Sequence, residues 1–256
     1  MTISDAKEND DRLLTRRRFL TSALPPLAVA AYLALGGVTQ TPGQVSGRKL
    51  GNVTDGITLT DQHGKAFNMA ELLGKGPCLV VFGYGGCPMC QRITDSVAAI
   101  QSEMIGQKRK LPIVVISVQP EQDRGDDAMK TYTASYYEKG VRQFADETLP
   151  DGAARRREAG ERAFTAAKGK KQEDRILHIV CPPTAKDAQT LEQRIGLLIN
   201  VKDAKQHSAF ITLFNNGQVV KGFRALDREQ NAPAAFTRAL AKTVAAEAGR
   251  AAGPER

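Results

Sequence analysis

Two cysteines separated by Pro88 and Met89 stand in the stretch VVFGYGGCPMCQR, residues 80–92, directly after an apolar run and a glycine pair. Side chains three apart on a helix share a face, so Cys87 and Cys90 can close a disulfide or grip one metal ion. A thiolate at a helix N-terminus meets unpaired backbone N–H groups and the positive end of the helix dipole. That field lowers its pKa and makes it both a nucleophile and a metal ligand. Three uses stay open on these residues: electron exchange with another dithiol, metal binding, or a permanent staple. A Cys-x-x-Cys after a buried strand favours the first two. Of the three histidines, His207 in QHSAF stands just before a strand-like run, on the edge where a helix carrying the dithiol would begin. His63, in the turn DQHG, reads as a solvated loop residue, and His178, inside the apolar alternation RILHIVC, as a packed one. Cys78 and Cys181 read as small core residues, since cysteine is among the most buried residue types.

The elements that must position the pair are legible around it. CLVVFGY, residues 78–84, is a continuous apolar run of the kind that forms a strand buried on both faces. After Cys90, the apolar residues Ile93, Val97, Ile100 and Met104 fall at intervals of four, three and four, one stripe of a helix. Gly85 and Gly86 let the chain turn between strand and helix. LPIVVISV (111–118) is a second buried strand, AMKTYTASYYEKGVRQF a helix, and RILHIVC (175–181) an added strand. LEQRIGLLI places Leu191, Ile195 and Leu198 on one helix face. AFITLF and QVVKGF flank Asn215-Asn216-Gly217, a hairpin signal. A closing helix carries Phe236, Leu240 and Val244, and ITLTDQHGKAF near the start suits a strand or hairpin. Strand, dithiol, helix, strand, helix, hairpin and helix is the order of a thioredoxin-like α/β sandwich, a central mixed sheet with flanking helices. In open sheets of this kind ligands bind outside the carboxyl ends of the strands, where the dithiol falls.

The N-terminus has a different character. Arg16, Arg17 and Arg18 precede Phe19 and Leu20, and no charge follows until after Val38. That is the layout of a twin-arginine export signal, and the uncharged segment 19–38 is long enough to stay as an inner-membrane anchor. Residues 1–38 are therefore expected to be signal or anchor, leaving the remainder in the periplasm. There a dithiol needs a reductant or a metal to stay reduced. Residues 39–50 read as a linker, 51–247 as the working domain, and 248–256 as a frayed tail. Within the domain, about 146–174 reads as a charged insertion, partly helical or disordered, that packs poorly on the core. The run from Arg155 to Arg175 holds eight Lys or Arg against four Asp or Glu and supplies part of the net charge of +8. Without interleaved aromatics or a nucleic-acid motif, this excess argues for a solvated face or anionic lipid, not nucleic acid.

GKGPCLVVFGYGGCPMCQRI, then PIVVISVQPEQD, then KQHSAFITLFNNGQVV resemble the SCO/SenC family of thioredoxin-like copper proteins, which help assemble the dinuclear copper centre of cytochrome c oxidase. The resemblance implies a site for one copper ion, Cu(I) or Cu(II), on Cys87, Cys90 and His207. It implies as partner the copper-site subunit of a respiratory oxidase or another periplasmic dithiol protein, besides the twin-arginine translocase. Two soft thiolates with an imidazole suit Cu(I), in keeping with that set. The chain departs from the family in three places: only two residues separate the cysteines, Gly85 replaces the signature threonine, and Gln206 stands where an aspartate commonly precedes the histidine. The two-residue spacing is also that of thioredoxins, so a thiol-disulfide reductase or peroxiredoxin-like enzyme, with Cys87 attacking and Cys90 resolving, is the alternative. A redox-sensing interaction module is a third reading.

Overall fold

In the computed structural model, residues 54–195, 209–227, 229 and 231–252 are described. The expected signal segment, the linker, Leu198 and His207 lie outside them. Strands β1 (Leu59–Asp61), β2 (Ala66–Phe67), β3 (Pro77–Gly83), β4 (Ile113–Ser117), β5 (Leu177–Cys181), β6 (Phe210–Asn215) and β7 (Gln218–Arg224) form one sheet in the order β2-β1-β5-β4-β3-β6-β7. Parallel pairing joins β3 to β4 and β4 to β5, while β6 runs antiparallel to β3 and β7 to β6. This is the mixed sheet of a thioredoxin-like fold, with a β1–β2 hairpin added antiparallel at the β5 edge.

The helices are α1 (Met69–Leu73), α2 (Pro88–Gly106), α3 (Pro120–Asp123), α4 (Asp126–Glu138), α5 (Ala153–Ala166), α6 (Ala185–Ile195) and α7 (Ala234–Ala252). Helices α2, α4, α5 and α7 pack with one set of strand side chains, including Leu79, Val81 and Val115. Helices α1 and α6 pack with the other set, including Cys78, Val80, Phe82 and Val114. Covering on both faces is why β3, β4 and β5 read as unbroken apolar runs. Cys78 and Cys181 sit in that core as expected. The β6–β7 turn takes left-handed backbone at Asn216 (φ 48°) and Gly217 (φ 76°), the conformation that a two-residue Asn-Gly hairpin requires.

Three expectations are corrected. The helix expected over AMKTYTASYYEKGVRQF does not run through VRQF: α4 stops at Glu138, and Gly140 (φ 97°) turns the chain out of it. The segment from about 146 to 174 does not pack poorly. Its helix α5 buries Phe164 and lays Gly160 directly on α4, where a Cβ would stand 2.7 Å from Tyr137 Cβ and 2.9 Å from Ala134 Cα. Nor does the chain fray at 248. Helix α7 continues to Ala252, because Ala241, Ala245 and Ala248 form a small-residue face that seats closely on the core. Asn215 holds its last turn by donating to Ala251 O at 2.7 Å.

A buried ion pair ties the charged segment down. Arg175 Nη1 lies 3.0 Å from Asp61 Oδ2, both side chains fully buried, and Arg175 Nη2 donates to Ala167 O at 2.9 Å. Asp61 also accepts from Gln172 and from the backbone N–H groups of His63 and Lys65. Burial pushes its carboxyl pKa up, yet these hydrogen bonds and Arg175 outweigh burial and hold it below the usual value. His63, expected in solvent, instead packs against Phe164 with ring centroids 4.7 Å apart, because α5 covers the β1–β2 turn. Burial first, then Arg175, pushes its pKa down to about 4. His178 is packed as expected, its Nε2 3.0 Å from Arg175 O, and burial brings it to about 4 as well.

The seat of α5 makes a prediction. Gly160→Ala should destabilise the domain by about 1–3 kcal/mol through overpacking against backbone and Cβ atoms. Alanine's higher helix propensity, worth roughly 1 kcal/mol, opposes this. Gly106→Ala, at the end of α2 where a methyl meets open space, should not destabilise. Urea unfolding midpoints of the two variants check the difference.

Candidate dithiol site

β3 delivers the chain to the carboxyl edge of the sheet at Gly83. The turn of Tyr84, Gly85 and Gly86 then places Cys87 at the N-cap of α2, with Pro88 in the first helical turn, where its missing N–H costs no intrahelical bond. Cys87 Sγ accepts the backbone N–H of Cys90 at 3.2 Å. The sulfur therefore occupies the place that a serine or aspartate oxygen takes in an ordinary cap. Both residues are buried, 4% and 5% exposed, so burial does not distinguish them. Hydrogen bonding does. The bond to Cys87 is the largest of the effects that push the Cys90 thiol far above its ordinary range, ahead of burial and of the charge on Cys87. Of the pair, Cys90 is the thiol that keeps its proton.

The glycines act differently from the sequence reading. Neither Gly85 nor Gly86 has a positive φ, so conformational freedom is not what the turn uses. Gly85 is needed for close approach: its N–H donates to Asp123 Oδ1 at 3.1 Å, and a Cβ there would stand 3.1 Å from the same oxygen. Asp123, at the end of α3, also accepts from Ser117 Oγ at 2.6 Å. Burial raises its pKa, opposed by the bonds from Ser117 and Gly85. This carboxyl pins the dithiol turn to the end of β4. Its only trace in the sequence is an acidic residue one turn after Pro120.

Gly83 makes room in the same way. A Cβ on it would lie 3.0 Å from Tyr132 Oη and 3.2 Å from Cys90 Sγ. The sequence marks Tyr132 only as one residue of a helix, but its hydroxyl reaches the space over Gly83 that Cys90 Sγ also borders. A cavity of about 130 Å³ opens beside the thiols, lined among others by Tyr84, Cys87, Cys90, Tyr132, Lys139 and Arg157. The structure thus brings Cys87 and Cys90 together at one helix start, while His207 is outside the described residues. Among the described residues no group of three or more His, Cys, Asp or Glu is placed to hold a metal ion.

The SCO1/SenC family model matches residues 48–143. The SCO1/SenC span holds β1 to α4, with Cys87, Cys90, Asp123 and Tyr132, and ends before α5. No curated protein matches the chain. Among solved structures, the chain is similar to a SCO1/SenC family lipoprotein from Bacillus anthracis str. Ames, at 16% identity over 76% of this chain and 92% of that one, with a TM-score of 0.48. It is also similar to copper-bound ScoI from Bradyrhizobium japonicum, at 22% identity over 73% and 96% of the two chains, TM-score 0.44. A third is BsSco, a member of the Sco family of cytochrome c oxidase assembly proteins in which a disulfide switch was identified. Its identity is 12% over 86% of this chain and all of that one, TM-score 0.48.

Proposed function

We propose that this chain is an extracytoplasmic copper-handling protein of the SCO1/SenC kind, which supplies copper or reducing equivalents for assembly of a respiratory copper site. One observation carries the reading. Two free thiols stand at the start of α2 at the carboxyl edge of the sheet, the Cys90 backbone N–H donating to Cys87 Sγ, and both residues line one cavity. The donor set fits the cargo, since soft sulfur ligands three residues apart suit Cu(I), and His207 would be the third ligand. Copper is carried here as cargo, one ion per chain, and Cys87, Cys90 and His207 would hold it.

The same pair moves electrons without metal. Cys87 as thiolate attacks one sulfur of a partner disulfide, forming a mixed disulfide and releasing the other sulfur as a thiolate. Cys90 then gives its proton to the released thiolate and attacks Cys87 Sγ, breaking the mixed disulfide and expelling the partner's second sulfur as a thiolate that water protonates. The partner leaves as a dithiol and Cys87 and Cys90 are joined, two electrons having passed to the partner. The bond between Cys87 and Cys90 favours this thiol-disulfide reductase reading as an accompanying or alternative activity. In both readings the partner is the copper-site subunit of a respiratory oxidase or another periplasmic dithiol protein. Copper quantification on protein purified without oxygen, with His207→Ala beside it, is the primary test.

Location is part of the proposal. Arg16 and Arg17 before Phe19 and Leu20 motivate export by the twin-arginine translocase, with residues 19–38 as an inner-membrane anchor. Among the described residues no helix is long and apolar enough to cross a membrane. Replacing both Arg16 and Arg17 with Lys should hold the protein in the cytoplasm. Fractionation that finds this variant outside at the wild-type level would sink the export route.

A further inference from the structure

The cavity beside the thiols has features that copper binding and disulfide exchange do not use. Its inner wall carries Tyr132, a residue 4% exposed whose hydroxyl interacts with the Tyr136 side chain but makes no hydrogen bond of regular geometry among the described residues. A buried hydroxyl without such a partner is uncommon in folded proteins. This one converges with Cys90 Sγ on the space over Gly83. The outer wall carries Lys139 and Arg157 against a single carboxylate, Glu138. Arg157 pairs with Glu138 at 3.0 Å and Lys139 with Asp95 at 3.1 Å, and Asp95 does not line the cavity. Once Cys87 Sγ is bonded to a partner sulfur and carries no charge, the lining holds two cations against one anion. A guanidinium engaged through Nη1 retains further N–H donors in its planar fork. Arg157 comes from α5, beyond the residues that the family model matches.

We infer that this cavity is a subsite for a carboxylate side chain standing next to the partner's reacting cysteine. The inference rests on the dithiol-exchange reading above and deepens it by naming partner chemistry. As Cys87 Sγ bonds to the partner's sulfur and the partner's other sulfur departs with its electron pair, an adjacent Glu or Asp enters between α4 and α5. There its oxygens accept from Tyr132 O–H and from Arg157. The segment from about 146 to 174 is then a specificity element, and the chain selects acidic over basic sequences around a disulfide.

The test uses the full reduced protein and three disulfide-bonded peptides that differ only in the residue beside the cysteine: Glu, Gln or Lys. Second-order exchange rates are divided by those of the same peptides with dithiothreitol, which removes each peptide's own reactivity. The Glu peptide should exceed the Gln peptide by about threefold to fivefold at low salt, the scale of a half-exposed charge pair. The Lys peptide should fall below both, and the preference should shrink in high salt. Arg157→Gln and Tyr132→Phe should each lower the Glu-to-Gln ratio, whereas Arg162→Gln, exposed on the same helix and outside the cavity, should keep it. Equal normalised rates for the three peptides, or a ratio unmoved in both Arg157→Gln and Tyr132→Phe, would overturn the subsite while leaving dithiol exchange standing. No exchange with any of the peptides would overturn both.

Discussion

Reduced protein purified without oxygen is expected to bind one Cu(I), and Cys87→Ser or Cys90→Ser is expected to lower the affinity by more than about a hundredfold, beyond the 10–100-fold typical of outer-shell changes. The two thiols are not equivalent before the metal arrives. Cys90 holds its proton against Cys87 in a buried turn. Cu(I) must displace that proton, so apparent affinity should rise with pH across the neutral range. His207→Ala should weaken binding by at least about tenfold, because a two-sulfur site loses its third donor. Competition against a Cu(I) chelator over a pH series measures all three. If His207→Ala binds as tightly as wild type while either cysteine variant loses the metal, the three-ligand site is wrong.

How much of this was legible depends on whether a signal was local. The parallel strands could be read because each is apolar along its whole length, and α2 because Ile93, Val97, Ile100 and Met104 keep one face. The hairpin announced itself through Asn216-Gly217. Charge density misleads where tertiary contacts override it: the segment around α5 reads as solvated, yet Phe164 and Gly160 on one side and Arg175 at its end bind it to the domain. The Asp61–Arg175 pair spans 114 residues, and nothing in the local pattern of either marks the other. The alanine face of α7 reads as a tail because small residues packed closely leave little hydrophobic contrast. At the site, the thiols were visible as a motif. Asp123 and Tyr132 were not, since both reach the dithiol only through the packing of α3 and α4 against the end of β3.

Cys90→Ser should accumulate a mixed disulfide with an oxidised partner, and Cys87→Ser should accumulate none. The expectation from sequence rests on Cys87 coming first at the helix start, with Cys90 deeper and better shielded. Shielding is not the difference, because the two are almost equally buried. What separates them is the direction of two hydrogen bonds. Cys87 Sγ receives the Cys90 backbone N–H, and the Cys90 thiol is held protonated by its bond to Cys87. Both stabilise charge on Cys87, and the thiolate is the form that attacks. Cys90 becomes a nucleophile only after Cys87 has been consumed in the mixed disulfide. The neighbouring negative charge is then gone, and the attack on Cys87 Sγ spans three residues of the same helical turn. In the Cys90→Ser variant a hydroxyl replaces the resolving thiol, so that second step is blocked and the intermediate persists. Its yield should therefore be near stoichiometric with the oxidised partner for Cys90→Ser, against background for Cys87→Ser. Alkylation mapped by mass spectrometry across a pH series gives the independent check: if Cys90 is the faster-reacting thiol near neutral pH in the wild type, the roles are reversed.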